Sequence, residues 1–337
     1  MASDQRDGRS LRIGIAGAGL LGRLLAWRLA REGHRVTVID PVDGPQARGA
    51  VGWTAAGMLS PLAELESADV GVAELGWRSI ALWPQWLAEL KTPVHFEQRG
   101  SLLLAHPGDR GSANRLLSRM AALAPEHAPE PLDAASLQAL EPALARGLLG
   151  WRLNGEGQIH TVQGMQALTE AATEAGVQWR WGHRATEVAS GRLEFEDMAG
   201  NAFSESFDLT VDVRGTGARG DLPVRGVRGE IVWLHAPGVA LTHPVRLLHP
   251  RHRVYLVPRP GDVVVVGASE IESDDRSPIS VRSLLELLSA AHSVLPELAE
   301  ARVVHTETNL RPALPDNLPL LEVEPRRLRI NGLFRHG

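Results

Sequence analysis

The amino-acid sequence predicts a mixed α/β fold with two domains, or with one domain interrupted by another, and three observations support this. The chain has 337 residues, more than a single hydrophobic core usually serves. Near the amino terminus, a strand, a helix and a second strand surround a glycine-rich turn. Later segments alternate apolar and polar residues in the manner of antiparallel strands.

The first elements form one βαβ unit. Residues 12–16 are a short apolar strand, residues 20–31 a helix rich in Leu and Ala, and residues 35–40 a β-branched strand. Because such crossovers are right-handed, we expect the two strands to lie parallel in one sheet.

The rest of the chain predicts mixed helices and strands, then antiparallel strands, a long helix and final strands. A Pro/Ala/Glu-rich stretch, residues 124–142, is interpreted as a connector in which Asp133 caps a short helix. The other predicted elements are helices at 72–90, 162–175 and 280–295, strands at 94–96, 101–105, 177–181, 192–196, 207–213 and 226–234, and a hairpin at 254–268.

The composition is that of an ordinary globular protein. Hydrophobic residues make up 44% and charged residues 22%, which argues against disorder. A net charge of −5 without a long basic run argues against a nucleic-acid partner. The absence of cysteine excludes disulfides and thiolate catalysis and fits a reducing compartment, so we predict a cytoplasmic protein. No apolar run is long enough to predict a membrane span.

One acidic run could suggest a metal site. The segment EIESDDRSP, residues 270–278, carries four carboxylates, but their spacing fits no calcium-binding loop. The histidines of HPRHR, His249 and His252, fit no zinc motif. We interpret the acidic run as a solvated loop and predict no metal.

The glycine-rich turn predicts a dinucleotide site. Its first glycine permits a tight turn, its second lets a pyrophosphate approach the backbone, and its third lets helix and strand pack closely. The helix then directs unpaired N–H groups at the phosphates. Asp40 closes the second strand, where it would accept hydrogen bonds from ribose hydroxyls. The loop reads Gly17-Ala18-Gly19-Leu20-Leu21-Gly22.

This motif does not choose between NAD and FAD. Six further segments, in register along residues 11–337, resemble the flavin-dependent glycine oxidases, the ThiO-type branch of the D-amino-acid oxidase superfamily. The segments are GWTAAGMLSPLAE, RGTGAR, GVRGE, VYLVPR, LRPALPDNLPLL and INGLFRHG.

The resemblance implies a Rossmann-like FAD-binding domain of the glutathione-reductase type, with an inserted substrate domain built on an antiparallel sheet. The FAD-binding domain is predicted from residues 11–62, 150–228 and 303–337. The substrate-binding domain is predicted from residues 63–149 and 229–302.

The resemblance also assigns FAD contacts residue by residue. Small residues suit these places because a planar ring approaches the backbone closely only where side chains are short. Leu20 and Leu21 belong to the pyrophosphate loop, and Asp40 matches the ribose acid. The further implied contacts are Thr54, Ala55, Ala56, Gly57 and Met58 beside the flavin, Val188 beside the adenine, and Gly217 in a second flavin-contacting turn.

Three residues are implied at the substrate. Tyr255, the only tyrosine, shares a strand face with Arg253 and Val257. From position alone, a packing role in the core is favoured for Tyr255, and a surface ion pair is favoured for Arg311. The resemblance implies that both bind the substrate carboxylate. Arg335 matches a further active-site arginine, although Leu333 replaces a histidine that the family often has two places earlier.

The implied reaction is oxidative deamination of glycine or another small amino acid or amine, which would serve formation of the thiamine thiazole. A hydride passes from the α-carbon to flavin N5, water hydrolyses the imine, and dioxygen becomes hydrogen peroxide. A homotetramer is implied as well.

Two alternative functions are an NAD(P)-dependent dehydrogenase and a non-catalytic flavoprotein subunit. Since the family pattern continues past FRHG, we expect a chain ending at Gly337 to bind flavin less tightly than one with the usual extension.

Overall fold

The computed structural model describes residues 10–66, 68–248 and 254–334, and this part of the chain has a mixed α/β fold, as predicted. The α-helices are α1 (Leu20–Arg31), α2 (Val51–Thr54), α3 (Pro61–Glu64), α4 (Val70–Ala88), α5 (Arg110–Leu123), α6 (Ala134–Leu140), α7 (Thr161–Glu174) and α8 (Val281–Val294). Short 3₁₀ helices cover Pro107–Asp109, Pro125–His127, Gly215–Ala218 and Pro296–Glu300.

The strands of the described residues form four sheets. The strands are β1 (Arg12–Ala16), β2 (Arg35–Asp40), β3 (Met58–Leu59), β4 (Phe96–Glu97), β5 (Ser101–Ala105), β6 (Glu130–Leu132), β7 (Leu149–Leu153), β8 (Gly157–Ile159), β9 (Gln178–Trp181), β10 (His183–Ala189), β11 (Arg192–Asp197), β12 (Ala202–Ser206), β13 (Leu209–Asp212), β14 (Arg225–His235), β15 (Val245–Leu248), β16 (Val254–Arg259), β17 (Val263–Gly267), β18 (Ile271–Glu272), β19 (Arg302–Ala313), β20 (Leu320–Glu324) and β21 (Arg327–Asn331).

The first sheet has six strands in the order β20-β21-β13-β1-β2-β9. All neighbours in it are parallel except β20 and β21. The predicted βαβ unit is confirmed, because β1 and β2 pair in parallel with Ile13 opposite Val36. Both residues are buried in a core with Trp27 of α1 and Leu168 of α7. The carboxyl ends of β1, β2 and β13 therefore lie at one edge, which is where ligands bind in open parallel sheets.

Two small antiparallel sheets flank this layer. One has the order β10-β11-β12, and its core includes Val188, Phe195 and Ile39. The other has the order β3-β8-β4 and fixes the segment that follows α2.

The largest sheet has nine strands and two different faces. Its order is β18-β14-β17-β16-β15-β5-β7-β6, and β19 pairs with β14 along its length. One face of β14, β16 and β17 packs on α8 through Val232, Leu256 and Val266. The opposite face carries Ile231 and Tyr255 and contacts the segment that follows α2. Residue alternation along the strands thus separates a packing face from a face turned to the candidate site.

Several expectations need correction. The predicted connector at 124–142 holds strand β6, which pairs with β7 in the large sheet, and helix α6. Asp133 does cap α6, since its Oδ1 accepts the Ser136 N–H at 2.7 Å. Helix α5 and strands β10, β12 and β15 were not predicted. The boundaries predicted near 150 and 303 fall within β7 and β19, two strands of the large sheet, so the division into domains stays a prediction.

Within the described ranges, no helix combines the length and the apolar character that crossing a bilayer requires.

Candidate active site

The three loop glycines occupy different environments. A Cβ on Gly17, which has φ +110°, would lie 2.6 Å from the Val213 carbonyl oxygen. A Cβ on Gly22 would lie 1.9 Å from the carbonyl oxygen of Gly17. At Gly19 the nearest atom to such a Cβ is 3.9 Å away, on Ala50. Gly17 and Gly22 are therefore required by the fold, whereas Gly19 faces open space.

Helix α1 begins at this open place. Gly19 is its N-cap and has no side chain to cap the first turn, and that turn, which includes Leu20 and Leu21, holds no acidic residue. The first N–H groups of a helix have no intrahelical partners and attract anions. The amino-terminal end of α1 is therefore suited to binding a pyrophosphate.

Asp40 stands at the end of β2 beside the loop. Its Oδ2 accepts the Ala18 N–H at 2.6 Å and its Oδ1 accepts the Val42 N–H at 3.1 Å. Burial raises the pKa of Asp40, although these two N–H groups and the charge of Arg23 act in the opposite direction. Each carboxylate oxygen keeps a lone pair that could accept a ribose hydroxyl.

The segment from Thr54 to Met58 is held by side-chain hydrogen bonds from two other parts of the chain. Thr54 Oγ1 accepts from Asn309 Nδ2 at 3.1 Å, and the Ala55 carbonyl accepts from Thr161 Oγ1 at 2.6 Å. The segment's other members are the buried Ala56 and Met58, and Gly57, which has φ +73°. A Cβ on Gly57 would lie 2.0 Å from the Ile159 carbonyl oxygen, so only glycine fits there.

The two remaining predicted FAD contacts lie at different places. Val188 is buried on β10, and its carbonyl oxygen accepts from Arg327 Nη1 at 3.0 Å. Gly217 lies on the exposed surface of the 3₁₀ helix at Gly215–Ala218, just beyond the carboxyl end of β13. The preceding Gly215 adopts φ +55°, which allows the chain to turn there.

The structure brings Tyr255 and Arg311 together. Tyr255 on β16 shares its face with Val257, as the alternation predicted, and the Arg311 guanidinium interacts with its hydroxyl. Arg311 Nη1 also donates to the Ser269 carbonyl at 3.1 Å. Burial raises the pKa of Tyr255, although neighbouring Arg311 acts to lower it. The phenol therefore stays protonated at neutral pH and can act as a donor.

Two glycines make room for this pair, and the sequence motifs gave them no role. A Cβ on Gly267 would lie 2.6 Å from the Tyr255 hydroxyl oxygen. A Cβ on Gly229 would lie 2.6 Å from Arg311 Nη1. Gly229 lies in the quoted segment GVRGE and Gly267 in the hairpin predicted at 254–268, but nothing in those segments indicates why a glycine is needed.

Arg259 also lies on this side of the sheet and was missed. It is buried, its Nη2 donates to the Ala56 carbonyl, and its Nη1 donates to Gln158 at 3.2 Å. Burial lowers its pKa to about 10. Arg259 therefore fastens β16 to the segment that follows α2. The motif VYLVPR contains Arg259, but its partners are distant in sequence.

The face of the large sheet that carries Tyr255 also includes Trp233 and buried polar atoms. Within the described ranges, Trp233 Nε1 and Glu307 Oε1 are buried and have no hydrogen-bond partner. Such atoms usually find a partner, so these two suit a face that receives a polar ligand. Arg335 lies outside the described residues, as do Arg253, His249 and His252.

The acidic run at 270–278 is paired with arginines. Asp275 lies 3.0 Å from Arg228, and Glu272 lies 2.9 Å from Arg225. Asp274 contacts Arg219. The run lies on the surface, as expected of a solvated loop, and its ion pairs also fasten that loop to β14.

The site as a whole fits FAD. The loop and the start of α1 offer N–H donors for a pyrophosphate, and Asp40 offers acceptors for a ribose. The segment at 54–58 lies between the dinucleotide loop and the sheet face that carries Tyr255. A flat ring can approach the small residues of that segment closely.

Comparisons with known proteins agree with this geometry. The family model DAO, described as FAD dependent oxidoreductase, matches residues 12–337. A Rhizobium etli protein assigned as the thiamine biosynthesis oxidoreductase ThiO is 41% identical over 331 residues, which cover 97% of this chain and 92% of the relative.

Two crystal structures share the fold. A glycine oxidase from Geobacillus kaustophilus matches with a TM-score of 0.85 at 24% identity, covering 98% of this chain and 91% of its own. An iminodiacetate oxidase from Chelativorans sp. BNC1 matches with a TM-score of 0.82 at 26% identity, covering 96% and 90%. The fold implied by the six sequence segments is thereby confirmed.

Proposed function

The chain belongs to the DAO family of FAD-dependent oxidoreductases, and on this premise we propose that it catalyses the oxidative deamination of glycine or another small amino acid. The observation that carries the proposal is the Arg311 guanidinium beside the Tyr255 hydroxyl, on the sheet face next to the segment at 54–58. FAD as the family's cofactor leaves the nicotinamide-dependent alternative without support.

Arg311 and Tyr255 act together on the substrate carboxylate. A guanidinium offers two parallel N–H donors to a carboxylate, and a protonated phenol adds one more. Because Arg311 Nη1 also donates to the Ser269 carbonyl, the guanidinium has a fixed orientation before substrate binds. The pair therefore holds the amino acid by its carboxylate, and the amine and α-carbon turn toward the segment at 54–58.

Apolar side chains surround the pair and exclude water. Ile231, Val257 and Val265 are buried on the same face. A low-polarity wall strengthens the ionic contact to the carboxylate and favours the neutral form of the substrate amine. When bound, FAD supplies the acceptor for the hydride of the α-carbon, and dioxygen is the final acceptor in our proposal. The protein itself contributes orientation and electrostatics, which explains why no catalytic acid-base pair is needed.

The names of the relatives support the substrate class. The matched proteins include a glycine oxidase and an iminodiacetate oxidase, both of which act on small amines with a carboxylate. The Rhizobium etli relative is assigned to thiamine biosynthesis, and we extend that role to this chain as part of the proposal.

The experiment is a substrate panel with the FAD-loaded protein. We expect hydrogen peroxide in an amount equal to the ammonia released from glycine or a small D-amino acid, or to the methylamine released from sarcosine. Bound FAD without turnover of any panel member would overturn the proposal and favour the non-catalytic flavoprotein instead.

Variants of Arg311 and Tyr255, measured in the same substrate assay, test the proposed roles of these two residues. Arg311→Lys keeps the charge but loses the forked geometry, so we expect kcat/KM to fall about 10- to 100-fold. Tyr255→Phe removes one donor and should cost about tenfold. Arg302→Lys is the matched control, because Arg302 lies on the same strand, β19, with 71% of its side chain exposed.

The assembly and location stay predictions. We propose a homotetramer, and light scattering of the purified protein would measure its mass. The cytoplasmic location is testable by fractionating cells that express the protein at native level.

A further inference from the structure

Arg23 is a buried cation at the base of the glycine loop. It is one residue past Gly22 on α1, and only 1% of its surface is exposed. Its Nε donates to the Ala18 carbonyl at 2.7 Å, and its Nη2 donates to the Pro45 carbonyl at 2.9 Å. Its Nη1 donates to the Met165 carbonyl at 3.2 Å and to the Thr169 hydroxyl. All of these partners are neutral oxygens.

The charge of Arg23 has no counter-ion in the described part of the chain. No ion pair joins Arg23 to a carboxylate there, although the charge of Asp40 acts to raise its pKa. The indole rings of Trp53 and Trp181 lie 5.2 and 5.5 Å from its Cζ and offset part of the cost of burial. Burial still lowers its pKa to about 10, which shows that its positive form is costly.

The peptide of Ala18 lies between two charged groups. Its N–H donates to Asp40 Oδ2 at 2.6 Å, and its carbonyl accepts from Arg23 Nε at 2.7 Å. Ala18 is the second residue of the loop and precedes Gly19, the N-cap of α1. The two contacts therefore fix the peptide that sets the direction of the loop's next N–H groups.

We propose that Arg23 is a positioning residue for the diphosphate of the dinucleotide: it fixes the Ala18 peptide, and its buried charge, which forms no ion pair among the described residues, favours binding of the anion. An ordinary structural arginine at this place would be paired with a carboxylate, because a buried charge without a counter-ion is costly. Two negative charges bound at the loop would supply that counter-ion. The proposal rests on the FAD dependence of the family and is independent of which amino acid is oxidised.

The experiment measures ligand binding to the FAD-free protein, without any turnover. ADP carries the diphosphate and lacks the flavin, so its Kd isolates this part of the site. Arg23→Met removes the charge at similar length, and we expect the Kd values of ADP and FAD to rise about tenfold or more. Arg23→Lys keeps the charge, and we expect the Kd of ADP to stay within about threefold. Loss of the charge should also weaken the salt dependence of ADP binding.

A matched control lies on the same helix. Arg28 of α1 pairs at 3.1 Å with Glu89 near the surface, and Arg28→Met should leave the Kd of ADP unchanged within about twofold. Wild-type ADP affinity in Arg23→Met would overturn the proposal. If Arg23→Met does not fold, Arg23→Lys decides: a tenfold loss of ADP affinity despite the retained charge would overturn it, and retained affinity with wild-type salt dependence would support it.

Discussion

The side-chain amide of Asn309 donates to Thr54 Oγ1 at 3.1 Å, so strand β19 of the large sheet is tied to α2 beside the dinucleotide loop. The same nitrogen donates to the Ala50 carbonyl at 3.2 Å. The Asn309 Oδ1 accepts a hydrogen bond from Arg276 Nη1 at 2.9 Å. Asn309 and Arg311 alternate onto one face of β19. This contact therefore sets Arg311, the proposed carboxylate-binding residue, relative to the segment at 54–58.

Replacing Asn309 should destabilise the protein and loosen the cofactor together. In Asn309→Ala the Ala50 carbonyl and the Arg276 guanidinium lose a partner, and we expect a loss of about 2–3 kcal/mol of unfolding free energy. Urea denaturation of the FAD-loaded protein measures it. Asn154→Ala is the control, since Asn154 makes one exposed contact with Glu130 and should change stability by less than about 0.5 kcal/mol. Equal losses of unfolding free energy in Asn309→Ala and Asn154→Ala would show that the Asn309 contacts do not stabilise the protein.

Much of the fold was predictable because its signals are local. The βαβ unit follows from periodicity over about 30 residues, and the observed bounds of β1, α1 and β2 equal the predicted ones. Strand β6 was missed because prolines dominate its stretch, and its pairing with β7 depends on a partner outside that stretch.

The contacts of the site were less predictable because they join distant parts of the chain. Gly229 and Gly267 make room for side chains on other strands, and no local pattern records that need. Arg23 interrupts an apolar stretch of α1 and is buried against α7, more than 100 residues away, which no local pattern indicates. The family resemblance predicted a shared substrate-binding role for Tyr255 and Arg311, whereas position alone favoured a packing role for Tyr255.

Gly19 and Gly22 should separate cofactor binding from folding. A methyl group at Gly19 meets nothing closer than 3.9 Å, so Gly19→Ala should leave the Tm of the FAD-free protein within about 2 °C while its FAD affinity falls at least about tenfold. Gly22→Ala would place Cβ 1.9 Å from the Gly17 carbonyl oxygen and should lower the Tm as well. Thermal scans and flavin titrations measure the two effects. Unchanged FAD affinity in Gly19→Ala would refute this assignment of the pyrophosphate.

Gly229→Ala should raise KM without unfolding the protein. The new Cβ would lie 2.6 Å from Arg311 Nη1, the far end of a flexible side chain, so the guanidinium moves and the backbone does not. We expect KM for the amino acid to rise about tenfold, with a smaller change in kcat. Steady-state kinetics with the best panel substrate measure it.

The control for that variant is Gly164→Ala on α7. The nearest atom to a Cβ on Gly164 would be Val94 Cγ1, at 4.0 Å, and alanine favours the helix by about 0.5–1 kcal/mol. KM should stay at the wild-type value. A KM shift in both variants would point to a general effect of the methyl groups on folding.

Glu156 should make stability depend on pH, because its carboxylate is fully buried next to the site. Its Oε1 accepts the N–H groups of Leu62 and Ala63 at 3.0 and 3.1 Å, in the first turn of α3. Burial raises its pKa to about 7 from an ordinary value of 4.5.

Between these pH values the folded state binds more protons than the unfolded state. The contribution of Glu156 to the free energy of unfolding is therefore fully present below pH 4.5 and is lost as pH rises through about 7. Glu156→Gln lacks this titration, and the wild-type free energy of unfolding should fall relative to that of the variant by up to about 3 kcal/mol between pH 4.5 and 8. Urea denaturation across that range tests it, with the exposed Glu126→Gln as the control that keeps the wild-type slope. Parallel pH curves for wild type and Glu156→Gln would show that another group carries the dependence.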